Sequence, residues 1–326
     1  MLALVGAVAL GTAFGYAAQR GAFCLSSGFS GVLEGDWTKV KALFLAVALQ
    51  LVLLPAVFGL SWAKPAALPL QPACAVVGGV LFGMSMRWAG GCAAGVWYKL
   101  GAGDMGALLA VLGMALGATA AGSGPLHILT ASLQDAVLVP IAWKPAPSLS
   151  IGAGILLLAI LARTTSGRAG AWSWPWTGLC VGLVALLAWP VSAAAGRDFG
   201  LAVVPGTAGL VAGLSGRPFP AWDVLLVLGL VAGGWLAARR AGPVALRAPG
   251  PSALIARFAG GLGLGVGASI AAGCTVGQGL TGLALLAPSS VLVMAAIFAG
   301  SALSAAAARR PGAAAREILA PARRAR

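Results

Sequence analysis

The stretch Ala271-Ala272-Gly273-Cys274-Thr275-Val276-Gly277-Gln278-Gly279 interrupts an apolar, glycine-rich segment that starts at Gly260. No charged residue lies between Arg257 and Arg309. An earlier stretch, Ala89-Gly90-Gly91-Cys92-Ala93-Ala94-Gly95, has the same layout. One offset of 182 residues sets Cys92 on Cys274, Gly78 and Gly79 on Gly260 and Gly261, Gly83 on Gly265, Gly91 on Gly273, and Gly95 on Gly277. A chain with 49 glycines aligns some of them by accident, but not five together with a cysteine in one register. The chain therefore reads as a duplication, each half built around a broken segment that carries a thiol.

Composition sets the class. With 60% hydrophobic and 9% charged residues and a mean hydropathy of +0.97, the chain lacks the charge of a soluble domain, which is about a quarter of its residues. Long apolar stretches recur from end to end, as in a polytopic helical membrane protein. The short alternating strands of a transmembrane barrel are absent. Residues 1–15 are apolar without a basic leader, so they read as a first span rather than a cleaved signal.

The net charge of +14 does not indicate nucleic acid, because no aromatic–basic patch accompanies it. The basic residues sit in clusters between apolar segments, such as Arg239/Arg240/Arg247 and Arg323/Arg324/Arg326. Such clusters set orientation and touch anionic membrane lipid. The five cysteines, Cys24, Cys74, Cys92, Cys180 and Cys274, include no CxxC pair, and His127 is the single histidine. Neither a disulfide framework nor a zinc or iron–sulfur site is expected, and no cofactor is.

Nine spans are expected, at residues 2–18, 40–61, 73–86, 105–122, 149–162, 174–191, 222–238, 254–270 and 290–308. Four glycine-rich stretches, 21–31, 90–101, 200–213 and 273–286, are too short or too interrupted to span. Irregular backbone at membrane depth survives only where protein or a water-lined cavity covers it, so these are expected as re-entrant half-helices. Nine crossings put 17 of the 21 Lys and Arg on the side of the C-terminus. That side is then the cytoplasm, and the N-terminus lies outside the bacterial inner membrane. The expected fold class is all-α: two inverted repeats, 1–122 and 172–326, the second with a basic cytoplasmic tail, joined by a connecting loop and central span over 123–171. Matched broken helices in inverted repeats mark a transport site at their interface.

Gly91-Cys92 and Gly273-Cys274 fall where a half-helix would begin, beside unsatisfied N–H groups that favour an anion. Small residues there (Ala93, Ala94, Gly95, Thr275, Gly277) admit a ligand close to the backbone. Thr275 and Gln278 would add hydroxyl and amide hydrogen bonds. The competing reading makes each cysteine a small apolar residue at a tight helix crossing. Arg20-Gly21-Ala22-Phe23-Cys24 is a third constellation, with a cation one turn before the thiol; Arg20 is alternatively an interfacial anchor. The repeat-related place in the second half is Arg197-Asp198-Phe199-Gly200, ending at Pro205-Gly206, with no cysteine; Arg197–Asp198 reads as a local ion pair, with attraction of an anion as the alternative. Cys74 and Cys180 read as packing residues, Trp172, Trp174 and Trp176 as an interfacial belt, and His127 as an outer-loop residue.

Arg20 to Cys24, Gly91-Cys92-Ala93-Ala94-Gly95 and Ala272-Gly273-Cys274-Thr275-Val276-Gly277, on about nine spans, resemble the YeeE/YedE family of sulfur-transport membrane proteins over essentially the whole chain. One departure is Ala93-Ala94 after Cys92, where a proline-containing form is common in the family. The resemblance implies thiosulfate uptake along a path lined by three cysteines: Cys274 outermost, Cys92 central, Cys24 innermost. It also implies a small cytoplasmic sulfur-carrier or sulfurtransferase partner. No GxxxxGK[ST] motif is present and acidic residues are nearly absent from the spans, which points to a channel-like or gradient-driven path and not to an enzyme. The alternatives are transport of a selenium compound, a membrane thiol or persulfide relay, and a purely structural subunit.

Overall fold

The computed structural model describes residues 1–65, 68–136, 145–165, 167–214, 216 and 219–309. Lys144, Arg217 and the basic tail 310–326, all used in the charge count, lie outside the described residues. Apart from two isolated bridges, regular structure among the described residues is helical. The elements are α1 (Leu2–Arg20), α2 (Leu25–Val32), α3 (Thr38–Gly59), α4 (Pro72–Ala89), α5 (Ala93–Gly101), α6 (Met105–Gly122), α7 (His127–Ala136), α8 (Pro147–Ala162), α9 (Trp174–Ala193), α10 (Val204–Leu214), α11 (Ala221–Arg239), α12 (Pro251–Ile270) and α13 (Pro288–Arg309). Eight helical stretches in the described residues are long and apolar enough to cross a membrane. The chain is an all-α polytopic membrane protein.

Local chemistry sets many of the boundaries. Proline opens α4, α8, α9 and α12, where its missing N–H costs nothing. Asp104 caps α6 by accepting the N–H groups of Gly106 at 2.9 Å and Ala107 at 3.3 Å. The fifth expected span is α8, whose 16 residues reach about 24 Å, short of a hydrocarbon core of about 30 Å. It lies along α3, with Gly154 against Ala48, Leu51 and Val52. Expected half-helices appear as α2, α5 and α10. The fourth, after α12, winds as a π-helix over Gly277–Gly282 and a 3-10 turn over Leu283–Leu285.

His127 is exposed in the connection between α6 and α8, at the start of the short helix α7. Two expectations are corrected. Trp174 is buried and donates its indole N–H to the Thr165 carbonyl at 3.2 Å, so only Trp176 and the partly buried Trp172 remain to face an interface. Arg197 pairs with Asp223 of α11 at 2.8 Å, not with its neighbour Asp198.

Packing repeats itself. α1 lies on α11 as α3 lies on α9, and α6 on α12 as α4 on α13, while α4 crosses α12 at the centre. Lipid supplies no hydrophobic drive between helices, so close backbone approach at small residues must hold them. A side chain at Gly79 would strike the Cβ of Ala296 and crowd the Val293 carbonyl, and one at Gly261 would strike the Ala110 carbonyl. Gly83 likewise faces the Ile297 carbonyl and Gly265 that of Met114. Gly78 meets the Ala271 backbone nitrogen, and Gly260 that of Ala89.

Gly83→Val should therefore lower stability by about 2 kcal/mol or more, read as thermal unfolding in detergent. Gly152→Ala on α8, with nothing within 4 Å of an added Cβ, should be neutral or stabilising by up to about 1 kcal/mol. Equal effects of the two would contradict the backbone-contact account.

Candidate functional site

Three thiols occupy one recurring backbone device. At the end of α1, Ala22 turns left-handed (φ 47°) and Phe23 N–H returns to the Ala18 carbonyl at 2.8 Å. Cys24 follows, and its carbonyl takes the Gly28 N–H at 2.8 Å to open α2. At the end of α4, Gly90 turns left-handed (φ 75°), Gly91 N–H returns to Met86 at 3.0 Å, and the Cys92 carbonyl takes Val96 N–H at 3.0 Å. At the end of α12, Ala272 (φ 50°), Gly273 N–H to Ala268 at 2.8 Å, and Gln278 N–H to the Cys274 carbonyl at 2.8 Å repeat the pattern. Each is a Schellman stop followed after one residue by a cysteine at the start of the next helical turn.

The fourth break departs from this. Gly196 turns left-handed (φ 76°) and Arg197 N–H returns to Ser192 at 3.1 Å. Residues 198–202 then intervene before the Val203 carbonyl takes Thr207 N–H at 3.1 Å. Val203 thus holds the capping place that Cys24 holds in the first half, displaced from the expected Arg197–Gly200 by that insertion. Alignment by residue type alone does not reveal such a shift.

Cys24 and Cys92 are brought together. Both are buried, and their sulfurs stand 3.9 Å apart. Gly95 makes the room: an added Cβ would lie 2.9 Å from the Cys24 sulfur and 3.4 Å from that of Cys92. Backbone N–H groups of Ser27 and Cys92 face the first sulfur, and those of Gly95 and Leu25 the second, too loosely to count as side-chain caps. Tyr98 closes one side, its hydroxyl donating to the Phe23 carbonyl at 3.3 Å. Cys274 lies buried in the other hairpin. That hairpin reaches the Cys24 element at Gly279, where a Cβ would sit 3.8 Å from Leu25 Cδ1.

A cation stands beside the Cys92 turn: the Lys99 ammonium would lie 3.5 Å from a Cβ on Gly91, and sequence reasoning passed Lys99 over in favour of Arg20. Lys99 stands seven residues after Cys92, two helical turns along one face, and that spacing was the available signal. Its ammonium donates to the Gly90 carbonyl at 2.6 Å, and Arg257 donates to the Ala89 carbonyl at 3.2 Å. Arg20 ends α1, with its Nε buried and without a partner. At the other break Gln278 does the corresponding work, its amide N–H₂ donating to Ala271 at 3.3 Å and Ala272 at 3.0 Å. Its amide oxygen accepts from the Ser290 hydroxyl at 2.6 Å. Gln278 therefore shapes the hairpin with hydrogen bonds that the sequence reading had reserved for a ligand.

Several buried polar atoms lack a partner, among them the hydroxyl of Thr275 and the indole N–H groups of Trp189 and Trp222. Trp189 Nε1 would lie 3.0 Å from a Cβ on Gly200, and the Arg197 guanidinium stacks 4.4 Å above Trp222. Burial pulls the proton affinity of Arg197 below its ordinary value, and Asp223 opposes that shift. Gly277 keeps open space, meeting only Phe199 at 3.8 Å. Tryptophans 189 and 222 carried no sequence signal beyond their apolar setting.

The fold and this arrangement define a multi-pass helical membrane protein whose interrupted helices meet inside the bundle. Residues 20–303 match the family described as sulphur transport, and the chain belongs to that family. It is 34% identical over 310 residues to a protein of Spirochaeta thermophila named thiosulfate transporter TsuA, covering 87% of this chain and 92% of that one. It is 31% identical over 307 residues to the Escherichia coli protein of the same name, covering 85% and 86%.

Sulfurs 3.9 Å apart need modest movement to reach the disulfide distance of about 2.05 Å. Diamide, a small oxidant that takes up two hydrogens, should link Cys24 to Cys92 and lower the intact mass by about 2 Da. The product should be lost in Cys24→Ala and in Cys92→Ala and kept in Cys274→Ala. A linked species that includes Cys274 instead would contradict the pairing.

Proposed function

We propose that the protein imports thiosulfate, or a closely related sulfur oxyanion, across the bacterial inner membrane. The observation that carries this reading is the threefold recurrence of a helix stop followed by a cysteine-capped turn, in a chain whose relatives are named thiosulfate transporters. In this reading the N-terminus lies outside, the C-terminus lies in the cytoplasm, and substrate meets Cys274, then Cys92, then Cys24. The acceptor on the inner side is a small sulfur-carrier or sulfurtransferase protein, an assignment supported by family resemblance alone.

The chemistry suits such a substrate. A doubly charged oxyanion cannot cross hydrocarbon unaided. Backbone N–H groups at the breaks beside Gly91 and Gly273 offer it donors without a fixed counter-charge. Neutral thiols add weak S–H donors that pass an anion on rather than trap it. Thr275 supplies a buried hydroxyl with no protein partner, while Gly95 and Gly277 leave space beside the thiols. Arg20 flanks the Cys24 end. No carboxylate relay or nucleotide loop is among these parts, which supports a channel-like or gradient-driven transporter over a primary pump.

We also propose that residues 1–122 and 172–326 form inverted repeats around a connector at 123–171. The support is that helix contacts come in matched pairs. α2 lies on α3 as α10 lies on α11; α5 lies on α6 as the π-helical turn lies on α13.

Labelled thiosulfate uptake tests the function in cells lacking other sulfate and thiosulfate importers. Cys24→Ala, Cys92→Ala and Cys274→Ala should each cut uptake about fivefold or more, the loss of roughly one hydrogen bond. Gly95→Ala should do the same by filling the gap between two sulfurs. Normal expression with wild-type uptake in all three cysteine variants would sink the thiol pathway. Wild-type protein that moves no thiosulfate would sink the substrate.

A further inference from the structure

The thiol pathway leaves one cavity without a role. It measures about 990 Å³ and lies between the ends of α1 and α4, the last turn of α5 and the start of α12. Arg87, Lys99, Arg247 and Arg257 line it, against the one carboxylate of Asp104. That carboxylate is already engaged. It caps α6 and stands 3.5 Å from Arg257, so most of the positive charge is left unbalanced. A concave site lined by one sign of charge focuses field and concentrates counter-ions.

The cavity reaches the thiols. Gly90 and Lys99 both line it, and the Lys99 ammonium would lie 3.5 Å from a Cβ on Gly91, the residue before Cys92. Lys99 and Arg257 also hold the last two carbonyls at the end of α4. An oxyanion is a stronger, charge-assisted partner for both cations than a neutral carbonyl. At the Cys274 break the equivalent carbonyls are held by the neutral amide of Gln278. Two similar frames therefore differ in charge.

We propose that this cavity is a binding vestibule for the transported sulfur oxyanion, exchanging it with the Cys24–Cys92 pair and drawing it toward this end of the bundle. The inference rests on the thiosulfate reading above and assigns new residues to it: Arg87, Lys99, Arg247 and Arg257. Arg87 and Arg247 supply attraction. Lys99 and Arg257 exchange a carbonyl for the anion, which frees the end of α4 beside Cys92. Phospholipid headgroups carry the same oxyanion chemistry, and Trp88 and Ile255, both exposed on the cavity lining, offer an acyl chain a place to rest. The vestibule is assigned to the free anion, and lipid composition separates the two.

The test compares wild type with the Arg87→Gln/Arg247→Gln double variant in vesicles of phosphatidylcholine alone and of phosphatidylcholine with phosphatidylglycerol, measuring labelled thiosulfate uptake. The vestibule requires a loss of about tenfold at low salt, shrinking near about 0.5 M sodium chloride and restored by the double Lys variant. Equal uptake by both proteins overturns the vestibule and leaves the thiosulfate reading intact. A defect confined to vesicles containing phosphatidylglycerol assigns the cavity to lipid and also overturns it. Wild type that moves no thiosulfate removes both readings together. Should the double variant not fold, Trp88 fluorescence of the wild type decides. A saturable response to thiosulfate that is lost in Trp88→Phe supports the vestibule, and no response overturns it.

Discussion

Every helix that stops inside a packed helical bundle leaves carbonyls and N–H groups shut away from water, at several kcal/mol for each group left bare. This chain meets that constraint at several places with the same solution. A left-handed residue folds the chain back so that one N–H closes on a carbonyl of the previous turn, and the next helical turn starts two residues later. What the backbone leaves over, side chains take: Lys99 and Arg257 at the end of α4, Gln278 at the end of α12. The sulfur atoms stand where they do because of this accounting. A cysteine at the start of a half-helix occupies the place of a stronger cap such as serine or aspartate, leaving N–H groups incompletely satisfied beside it.

The same economy governs the packing. Half-helices can enter the bundle only if the long helices around them approach closely elsewhere. The glycine contacts of α4 with α12 and α13, and of α1 with α11, provide that approach. The thiol gap is itself an instance. Gly95 contributes nothing to the site except the absence of a Cβ, yet that absence brings two elements 68 residues apart to van der Waals range of each other's sulfur.

Much of this could be read in the sequence, for physical reasons. Helix breaks in lipid demand glycine and small residues, so the common register of Gly78, Gly83, Gly91 and Cys92 with their second-half counterparts stands out against apolar helix. Proline and glycine punctuate the span ends within a few residues of where α4, α9 and α13 begin. Long-range partners were out of reach: nothing local in Arg197-Asp198 reveals that the guanidinium turns to Asp223, twenty-six residues on and buried in α11. Winding was equally hidden. The π-helical turn at Gly277–Gly282 follows from how Gln278 and Ser290 tie the hairpin to α13, a tertiary effect without periodic signature. Lys99 was visible as a charge, but its importance comes from the chain folding back at Gly90.

The three breaks also differ in torsional stiffness. Ala22 and Ala272 hold positive φ with a Cβ in place, in a narrow basin whose walls are steep for any L side chain. The middle break is Gly90-Gly91, two residues for which that landscape is nearly flat. Rotation of the backbone is therefore cheapest beside Cys92, where both preceding residues are glycine, intermediate beside Cys274, where Gly273 (φ 156°) follows Ala272, and most costly beside Cys24. Mechanical compliance is thus greatest between two stiffer breaks, at the peptide whose carbonyl Lys99 holds.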